Sequence, residues 1–240
     1  IMTDSCCDVP AQLADKLELT VLPLSFTING KEHYNYLDGR DISSSHFYRL
    51  LREGTQCTTS AANTNAFLSA MEPVLKKGKD ILCICFSSAL STTCASAQMA
   101  AKELVLKYPN NKIYIVDSLS ASLGQGMLTY YAVQQKQNGK TIEQVYQWME
   151  QNKLHLCHWF TVDDLNHLKR GGRISPAVAF VGSLLGMKPI LHVDDTGHLV
   201  NVGKIKGRRA SLSQLVEKLE QTAVHIAEQT IFISHGDCPE

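Results

Sequence analysis

Hydroxyl side chains are concentrated in residues 85–97, where CFSSALSTTCASA contains six serines and threonines and no charged residue. A second cluster, Thr58-Thr59-Ser60, precedes a segment of helical period, and both clusters are predicted to form turns. Hydroxyls and backbone N–H groups at a helix start can hold one negative charge, such as a carboxylate, without a basic residue. The candidate ligands are Thr59, Ser60 and Ser91, with Ser88 as a further headgroup or partner contact. Helix capping by the same residues is the alternative, and it stays open.

Two other chemistries find little support in these turns. Nucleotide-binding turns use glycines and often a lysine around the phosphates, but the chain has no such motif, and Gly124-Gln125-Gly126 lacks the third glycine of GxGxxG. A serine nucleophile at Ser87, Ser88 or Ser91 would need the glycines of G-x-S-x-G, which are missing. We therefore expect a binding protein rather than an enzyme. A hydrolase or phosphotransferase that acts on a small anionic substrate at the same turns is the alternative.

The elements that position these turns are predicted to form two lobes. From residue 1 to 155, apolar runs such as ILCICF alternate with segments of helical period, which predicts a three-layer α/β lobe with a mainly parallel sheet. Ligands of such sheets bind beyond the carboxyl ends of the strands. Residues 156–240 are predicted to form a smaller α/β lobe whose sheet contains a hairpin through Asp195-Thr196-Gly197. A helix over 211–229 and a strand at 230–234 should follow.

Composition is typical of a globular protein and limits its partners. Of 240 residues 44% are hydrophobic, and 23 basic and 23 acidic residues give a formal net charge of zero. No global attraction to nucleic acid or to an anionic membrane is therefore expected. The longest apolar stretch, residues 177–191, is interrupted by glycines and a proline and is too short to span a bilayer. We expect a cytoplasmic protein without a membrane span.

The cysteines and histidines do not have the spacing of a metal site. Eight cysteines are present without a CxxC pair, and Cys83 and Cys85 alternate within a predicted strand, which favours reduced thiols. His155 and His158 have no matching acidic motif beside them. We therefore expect neither a metal nor a cofactor.

Basic residues are concentrated in two segments of the second lobe, LKRGGRIS and GKIKGRR. They are Lys169, Arg170, Arg173, Lys204, Lys206, Arg208 and Arg209. Basic residues of this kind usually lie on the solvated surface without a binding role. The more specific interpretation is that they surround the entrance of the ligand site or bind the phosphate of a partner. Nucleic acid ranks third, because no recognition helix or set of stacking aromatic residues accompanies the charges.

Several motifs, in order along the chain, resemble one family. They are MTDSCCDVP, PLSFTINGKEHYNYLDGRDISSSHFYRLL, TTSAAN, FSSALSTTCASA, VDSLSASLGQG, DDLNHLKRGGRIS, GMKPIL and GKIKGRRASL. The sequence resembles the DegV family, the fatty-acid-binding group that includes the acyl-carrying subunits of bacterial fatty acid kinase. The resemblance implies two lobes with a long acyl chain in a tunnel between or within them. It also implies that the protein performs no bond chemistry itself and presents the carboxylate to a separate fatty acid kinase.

The resemblance assigns roles to individual residues. The family's carboxylate-binding threonine and serine fall on Thr59 and Ser91, and the arginine of its GGRIS motif falls on Arg173. Lys206 stands where the family has an arginine near the ligand head or the kinase, so the charge is kept but the planar fork of donors is lost.

Two further expectations concern the tail and the end of the chain. The apolar segment 177–187 is a candidate for part of the tunnel wall, with an ordinary core helix as the alternative. A C-terminal segment of the family carries another histidine that meets the carboxylate, and it is expected to lie beyond Glu240. The C-terminal lobe is therefore expected to be incomplete in this sequence.

Overall fold

The computed structural model describes residues 1–175 and 186–238. Within it the chain divides into two units. Unit 1 comprises Ile1–Lys153 and the described chain from Phe232 onward, and unit 2 comprises Leu154–Ile231.

The predicted lobes, 1–155 and 156–240, differ from this division mainly at the end of the chain, which belongs to unit 1. The predicted helical segment 177–187 lies outside the described residues, apart from Gly186 and Met187. Its role as a tunnel wall stays a prediction.

Unit 1 contains short strands and longer helices. Its strands are β1 (Met2–Asp4), β2 (Thr20–Leu22), β3 (Ser25–Ile28), β4 (Lys31–Tyr34), β5 (Cys57–Ser60), β6 (Ile81–Cys85) and β7 (Ile113–Asp117). Its helices are α1 (Ala11–Lys16), α2 (Ser44–Arg52), α3 (Thr64–Leu75), α4 (Thr93–Lys107), α5 (Leu123–Gln137) and α6 (Ile142–Asn152).

Four strands form a parallel sheet in the order β2-β1-β6-β7, which confirms the predicted α/β arrangement. All five residues of β6 are buried, as an unbroken apolar run predicts for a strand covered on both faces. Its residues Ile81, Cys83 and Cys85 share one apolar core with α3 and α4. The carboxyl ends of β1, β6 and β7 therefore lie side by side at one edge of this sheet.

Three further strands form an antiparallel sheet in the order β4-β3-β5, which the sequence pattern did not reveal. The predicted turn at Thr58-Thr59-Ser60 is wrong, because these residues belong to β5, at the edge of this sheet. Adjacent β-branched threonines favour extended backbone. The helix start lies further along, where Asn63 caps α3 by accepting a hydrogen bond of 2.9 Å from the Ala66 N–H.

The last described segment of the chain is bound to helices of unit 1. The Arg52 guanidinium, in α2, donates to the carboxylate and to the carbonyl oxygen of Asp237 at 2.6 and 2.7 Å. The ring of Phe232 lies 5.6 Å from that of Tyr130, in α5. The predicted strand at 230–234 is wrong, because these residues have no strand partner in the described chain.

Unit 2 contains strands β8 (Trp159–Phe160), β9 (Met187–Val193) and β10 (Leu199–Lys206) and helices α7 (Asn166–Arg170) and α8 (Arg208–Thr222). The strands form an antiparallel sheet in the order β10-β9-β8. The predicted hairpin is confirmed, since β9 pairs with β10 and the Gly197 N–H donates to the Asp194 carbonyl at 2.9 Å. The helix predicted over 211–229 is shorter, because the backbone turns extended at Ala223.

Within residues 1–175 and 186–238, no helix combines the length and the apolar composition of a membrane span. The same residues contain no group of three or more His, Cys, Asp or Glu side chains that could hold a metal ion. Four of the eight free cysteines, Cys7, Cys83, Cys85 and Cys94, are buried. These four act as small apolar core residues.

Candidate functional site

The loop between β6 and α4 carries the hydroxyl cluster, at the carboxyl end of the parallel sheet as predicted. Residues 86–91 are called the hydroxyl loop below. Its serines differ in accessibility, because Ser87 is buried, Ser91 is half-buried and Ser88 is exposed. A ligand at this edge of the sheet can reach Ser88 and Ser91 more readily than Ser87.

The first three N–H groups of the hydroxyl loop donate to residues at the ends of the neighbouring strands or shortly after them. Phe86 donates to the Asp4 carboxylate at 2.8 Å, Ser87 to the Ser120 carbonyl at 3.0 Å and Ser88 to the Asp117 carboxylate at 3.1 Å. Asp4 ends β1 and Asp117 ends β7, the two neighbours of β6 in the sheet. The loop is therefore held from both sides.

The next three N–H groups are accepted by Ser87 itself. Its hydroxyl oxygen accepts from Ala89 at 3.3 Å, and its carbonyl oxygen accepts from Leu90 and Ser91 at 3.0 and 3.1 Å. All six N–H groups of the hydroxyl loop are thus already donated within unit 1. The N–H groups of residues 86–91 are therefore engaged within the fold, and this loop offers its hydroxyl groups to a ligand. Anion binding by N–H groups of the first turn of α4 stays a prediction.

Ser91 combines a capping role with a half-buried side chain. Its oxygen accepts a hydrogen bond from the Thr93 N–H at 3.2 Å, at the start of α4, and lies 2.9 Å from the Thr93 hydroxyl. The helix-capping alternative therefore holds in part for Ser91. An oxygen that accepts the N–H can still donate its own proton to a ligand.

Thr59 and Ser60 lie on opposite faces of the antiparallel sheet, because successive side chains of a strand alternate. Thr59 shares its face with Phe26, the residue directly across the β3–β5 ladder. Both Thr59 and Ser60 are exposed. Neither residue caps a helix, so the capping alternative does not hold for Thr59. The Thr59 and Ser60 hydroxyls also point to opposite faces of the sheet, so one ligand at a single face would contact only one of them.

The segment after Thr59 and the start of α4 share one core. Ala62, three residues after Thr59, and Cys94, three residues after Ser91, are both buried in the apolar cluster that also contains Cys85. This packing ties the chain beyond β5 to the chain beyond the hydroxyl loop. It is the observation that relates the two predicted ligand residues of unit 1.

Arg173 and Lys206 belong to unit 2. Arg173 follows α7 and donates a hydrogen bond to the carbonyl oxygen of Gly171, across Gly172 with its φ of +72°. Lys206 is exposed at the end of β10, opposite Met187. The proposed roles of both residues stay predictions.

Part of the predicted basic cluster is already paired within unit 2. Asp163 binds Lys188 at 2.7 Å and Arg208 at 3.5 Å. These cations, Lys188 first, lower the pKa of the Asp163 carboxyl below its ordinary value. The charge of Arg208 is therefore partly neutralised by Asp163, so Arg208 would attract a negatively charged partner less strongly than an unpaired arginine.

Asp4 is a buried carboxylate that the sequence pattern did not reveal as part of the site. It is 1% exposed, and its two oxygens accept from the Phe86 and Cys6 N–H groups at 2.8 and 3.0 Å. Burial raises its pKa to about 6, although these N–H bonds and the Gln125 amide oppose the shift. An acid at the end of a short run of strand-forming residues, as in IMTD and IYIVD, is the sequence signal for both Asp4 and Asp117.

Gln125, in α5, joins the same network from the side of the helix. Its amide nitrogen lies 3.0 Å from the Thr3 hydroxyl and 3.4 Å from the Ile84 carbonyl, so it can donate to both. The neighbouring Gly126 allows close packing, since a Cβ there would lie 2.5 Å from the Cys7 carbonyl oxygen. Packing thus accounts for Gly124-Gln125-Gly126, the segment that partly matches a nucleotide-binding motif.

The arrangement suits binding better than acyl transfer. An oxyanion hole needs N–H groups aimed at the developing charge, and those of the hydroxyl loop are donated within the fold. Ser87, the serine nearest the strand, is fully buried. Accessible hydroxyls at the edge of a sheet can instead orient a small polar group whose remaining part is bound elsewhere.

A family model described as "Uncharacterised protein, DegV family" matches residues 1–240. This chain is a member of the DegV family. The match extends over the whole sequence, so both units belong to the family, and the family suggested by the motifs is confirmed.

One curated DegV relative illustrates how similar family members are to this chain. A DegV domain-containing protein of Clostridium perfringens is 48% identical over 240 residues, which is 100% of this chain and 82% of the relative. At that identity the two proteins share their fold.

Two solved DegV structures share the fold and are described as fatty acid binding. DegV of Bacillus subtilis, described as a fatty acid binding protein, is 30% identical with a TM-score of 0.78 and covers 92% of this chain and 76% of its own. A DegV family protein of Thermus thermophilus, described by its fatty acid binding, is 29% identical with a TM-score of 0.79 and covers 95% and 77%. The two-lobe α/β fold is therefore that of DegV proteins.

Proposed function

We propose that this chain binds one long-chain fatty acid and carries it, without changing its covalent structure. The observation that carries the proposal is the likeness to two DegV structures described as fatty acid binding, at TM-scores of 0.78 and 0.79 over more than nine-tenths of the chain. No cofactor is part of the proposal, because the fatty acid is the ligand itself.

In this proposal the hydroxyls of Thr59 and Ser91 donate to the ligand carboxylate. Three observations support them: both side chains are at least partly accessible, the loop amides are already engaged, and Ala62 and Cys94 pack in one core beyond the two residues. Hydrogen bonds to a charged acceptor are about twice as strong as neutral ones, so two hydroxyls suffice to orient a headgroup. Ser60, on the opposite face from Thr59, contributes less.

Most of the affinity would come from the tail. Burial contributes about 0.8 kcal/mol for each methylene removed from water, so a chain of ordinary lipid length outweighs two hydrogen bonds. The internal tunnel for this tail is part of the proposal. The hydroxyls mainly decide which end of the ligand stays at the edge of the sheet.

We further propose that a separate fatty acid kinase acts on the bound carboxylate. Arg173, Lys206 and the exposed Ser88 are the candidate contacts for the ligand head or for that partner. Cationic side chains suit this role, because an acyl phosphate carries more negative charge than the acid from which it is made. A cytoplasmic location, where such a kinase would have its nucleotide, stays a prediction.

Native mass spectrometry of the purified protein tests the proposed function. The expected spectrum contains the protein with one bound long-chain acid, which solvent extraction then identifies. A delipidated sample should take up added hexadecanoic acid with one-to-one stoichiometry. A protein that is purified empty and takes up no added acid would contradict the proposal.

A further inference from the structure

Helix α2 (Ser44–Arg52) packs on unit 1 more loosely than the other helices do. None of its nine residues is buried, whereas α1 and α3 to α6, the other helices described in unit 1, each contain at least one buried residue. Its apolar and aromatic side chains, Phe47, Tyr48, Leu50 and Leu51, are only half-buried. Separation of α2 from unit 1 therefore costs less apolar burial than separation of any of these helices.

This helix lies on the face of the antiparallel sheet that carries Thr59. The ring of Phe47 packs edge-on against the ring of Phe26 at a centroid distance of 5.2 Å, and Phe26 lies directly across the β3–β5 ladder from Thr59. Two glycines with positive φ flank the segment that contains α2, Gly39 at +65° and Gly54 at +87°. Glycine changes its backbone conformation at little cost, so both positions can act as hinges.

A polar contact holds the last residue of α2. The Arg52 guanidinium donates from one nitrogen to the Asp237 carboxylate at 2.6 Å and from the other to the Asp237 carbonyl oxygen at 2.7 Å. The neighbouring backbone lies directly on α2, since a Cβ added to Gly236 would be 3.0 Å from the Tyr48 ring. The Arg52 and Asp237 side chains are 56% and 32% exposed, so water competes for the pair and its strength is modest. Such a contact can open and close.

We propose that α2 is a hinged lid on unit 1 and that the Arg52–Asp237 contact is its latch. In the closed state α2 covers Phe26. In the open state the helix turns about the two glycines and exposes the rings of Phe26 and Phe47 beside Thr59, which gives the tail of a fatty acid an apolar route to and from the site. The role in ligand passage rests on the proposed function, whereas the opening of α2 can be measured without a ligand.

Arg52→Gln tests the latch, because it removes the charge and keeps a polar side chain at the end of α2. A matched control is Lys112→Gln. Lys112 forms an ion pair with Glu143 in α6, and these two side chains are 55% and 33% exposed, almost as in the latch. Each variant loses one cation from a partly exposed pair in unit 1, so general effects of charge are common to both.

Two quantities are measured for the unaltered protein and both variants. They are the protection factors of the α2 amides by hydrogen exchange without ligand, and the rate at which bound hexadecanoic acid is released to an excess of phospholipid vesicles. In Arg52→Gln we expect α2 protection to fall about twofold to fivefold, as for a lost exposed ion pair, and release to become faster by a similar factor. The dissociation constant should change less than the release rate, because easier opening also speeds uptake. Lys112→Gln should change neither quantity.

Three results would overturn the inference while leaving the proposed function intact. They are unchanged α2 protection in Arg52→Gln, unchanged release despite lower α2 protection, and equal effects in Lys112→Gln. A purely structural ion pair predicts the second result, a looser helix with normal release. Asp237→Asn removes the charge from the other side of the latch and should reproduce the effects of Arg52→Gln.

Absence of acid binding by the unaltered protein would instead overturn the proposed function. The role of α2 in ligand passage would be overturned with it. The exchange data would still decide whether the Arg52–Asp237 contact holds the helix closed.

Discussion

Thr59 lies directly opposite Phe26 across the β3–β5 ladder, so the two side chains share one face of the antiparallel sheet. Phe26 is buried there against the ring of Phe47, at a centroid distance of 5.2 Å. Thr59 is exposed because β5 is the edge strand. The hydroxyl of Thr59 is therefore carried by a rigid ladder rather than by a flexible turn.

The first prediction uses the alternation of side chains along β5, which places Thr59 and its neighbour Thr58 on opposite faces of the sheet. Thr59→Val preserves the shape and strand propensity of the side chain and removes only the hydroxyl, so stability should change by no more than about 0.5 kcal/mol. Affinity for a long-chain fatty acid should fall about tenfold to a hundredfold, as expected for a hydrogen bond to a charged group. The matched control is Thr58→Val, on the opposite face, which should bind normally. Equal affinities in both variants, measured by calorimetric titration, would remove Thr59 from the site.

A second prediction concerns the stability of unit 1 and follows from Asp4. The folded-state pKa of this carboxyl is about 6, above its ordinary value of 3.8. The folded protein therefore keeps a proton that the unfolded chain has released, and this stabilisation is complete below the lower value and lost as the pH rises through about 6. Lowering the pH from 7 to 5 should stabilise unit 1 by about 1 kcal/mol through this group. Protection factors of the β6 amides measure the gain, and Asp4→Asn should remove the part that Asp4 contributes, while the raised pKa of the Asp8 carboxyl contributes separately.

Unit 2 should respond to pH in the opposite direction because of His158. Burial, and then the nearby charge of His192, lowers the pKa of His158 from 6.5 to about 4. The folded state therefore excludes a proton that the unfolded chain takes up, and the stability present above pH 6.5 is lost as the pH falls through about 4. Between pH 7 and pH 5 the loss should be about 2 kcal/mol.

Hydrogen exchange of the β9 amides measures this loss of stability in unit 2. The β6 amides report on unit 1, so the two pH effects can be measured separately in one experiment. The measure is the protection factor of each β9 amide, which corrects for the intrinsic pH dependence of exchange, and His158→Gln should remove the part of the loss of protection that His158 causes. If β9 in the unaltered protein gains protection on acidification, the assignment to His158 is incorrect.

A fourth prediction concerns packing at Gly126. A Cβ on this residue would lie 2.5 Å from the Cys7 carbonyl oxygen and 2.9 Å from a methyl group of Val9, so either α5 or the turn after β1 would have to move. Gly126→Ala should therefore destabilise unit 1 by about 1–3 kcal/mol, as overpacking does. Gly203→Ala, at a position with no atom within 4 Å of the added Cβ, is the control. Thermal unfolding compares the two, and equal midpoints would contradict the packing explanation.

The parallel sheet and the hydroxyl loop could be predicted because their signals are local. A fully apolar run such as ILCIC followed by serines specifies a buried strand and the loop after it, and Asp195-Thr196-Gly197 specifies a hairpin. The antiparallel sheet could not be predicted in the same way. Its strands KEHY and CTTS are short and polar, and their pairing partners are set by tertiary contacts rather than by their own sequence.

The residues that hold the site were missed for a related reason. The importance of Asp4 and Asp117 follows from the order β1-β6-β7, which places both carboxylates beside one loop. Asp4 lies more than 80 residues before the hydroxyl loop and Asp117 more than 25 residues after it, so the sequence alone does not indicate that either carboxylate contacts the loop. The residue types that could contact a ligand were therefore recognisable from the sequence, whereas the residues that support them became visible only with the topology.

The six engaged N–H groups of the hydroxyl loop have a consequence for the kinetics of loading. Because these donors are already bonded within the fold, we expect the loop to keep its conformation when the ligand dissociates. The loss of conformational entropy that orders the loop then occurs during folding and is not repeated at each binding event. Entry and exit of the ligand should then be limited by the passage of its tail. Under the proposed carrier function, such preorganisation would allow the protein to be emptied and refilled repeatedly without a cost of reordering the loop.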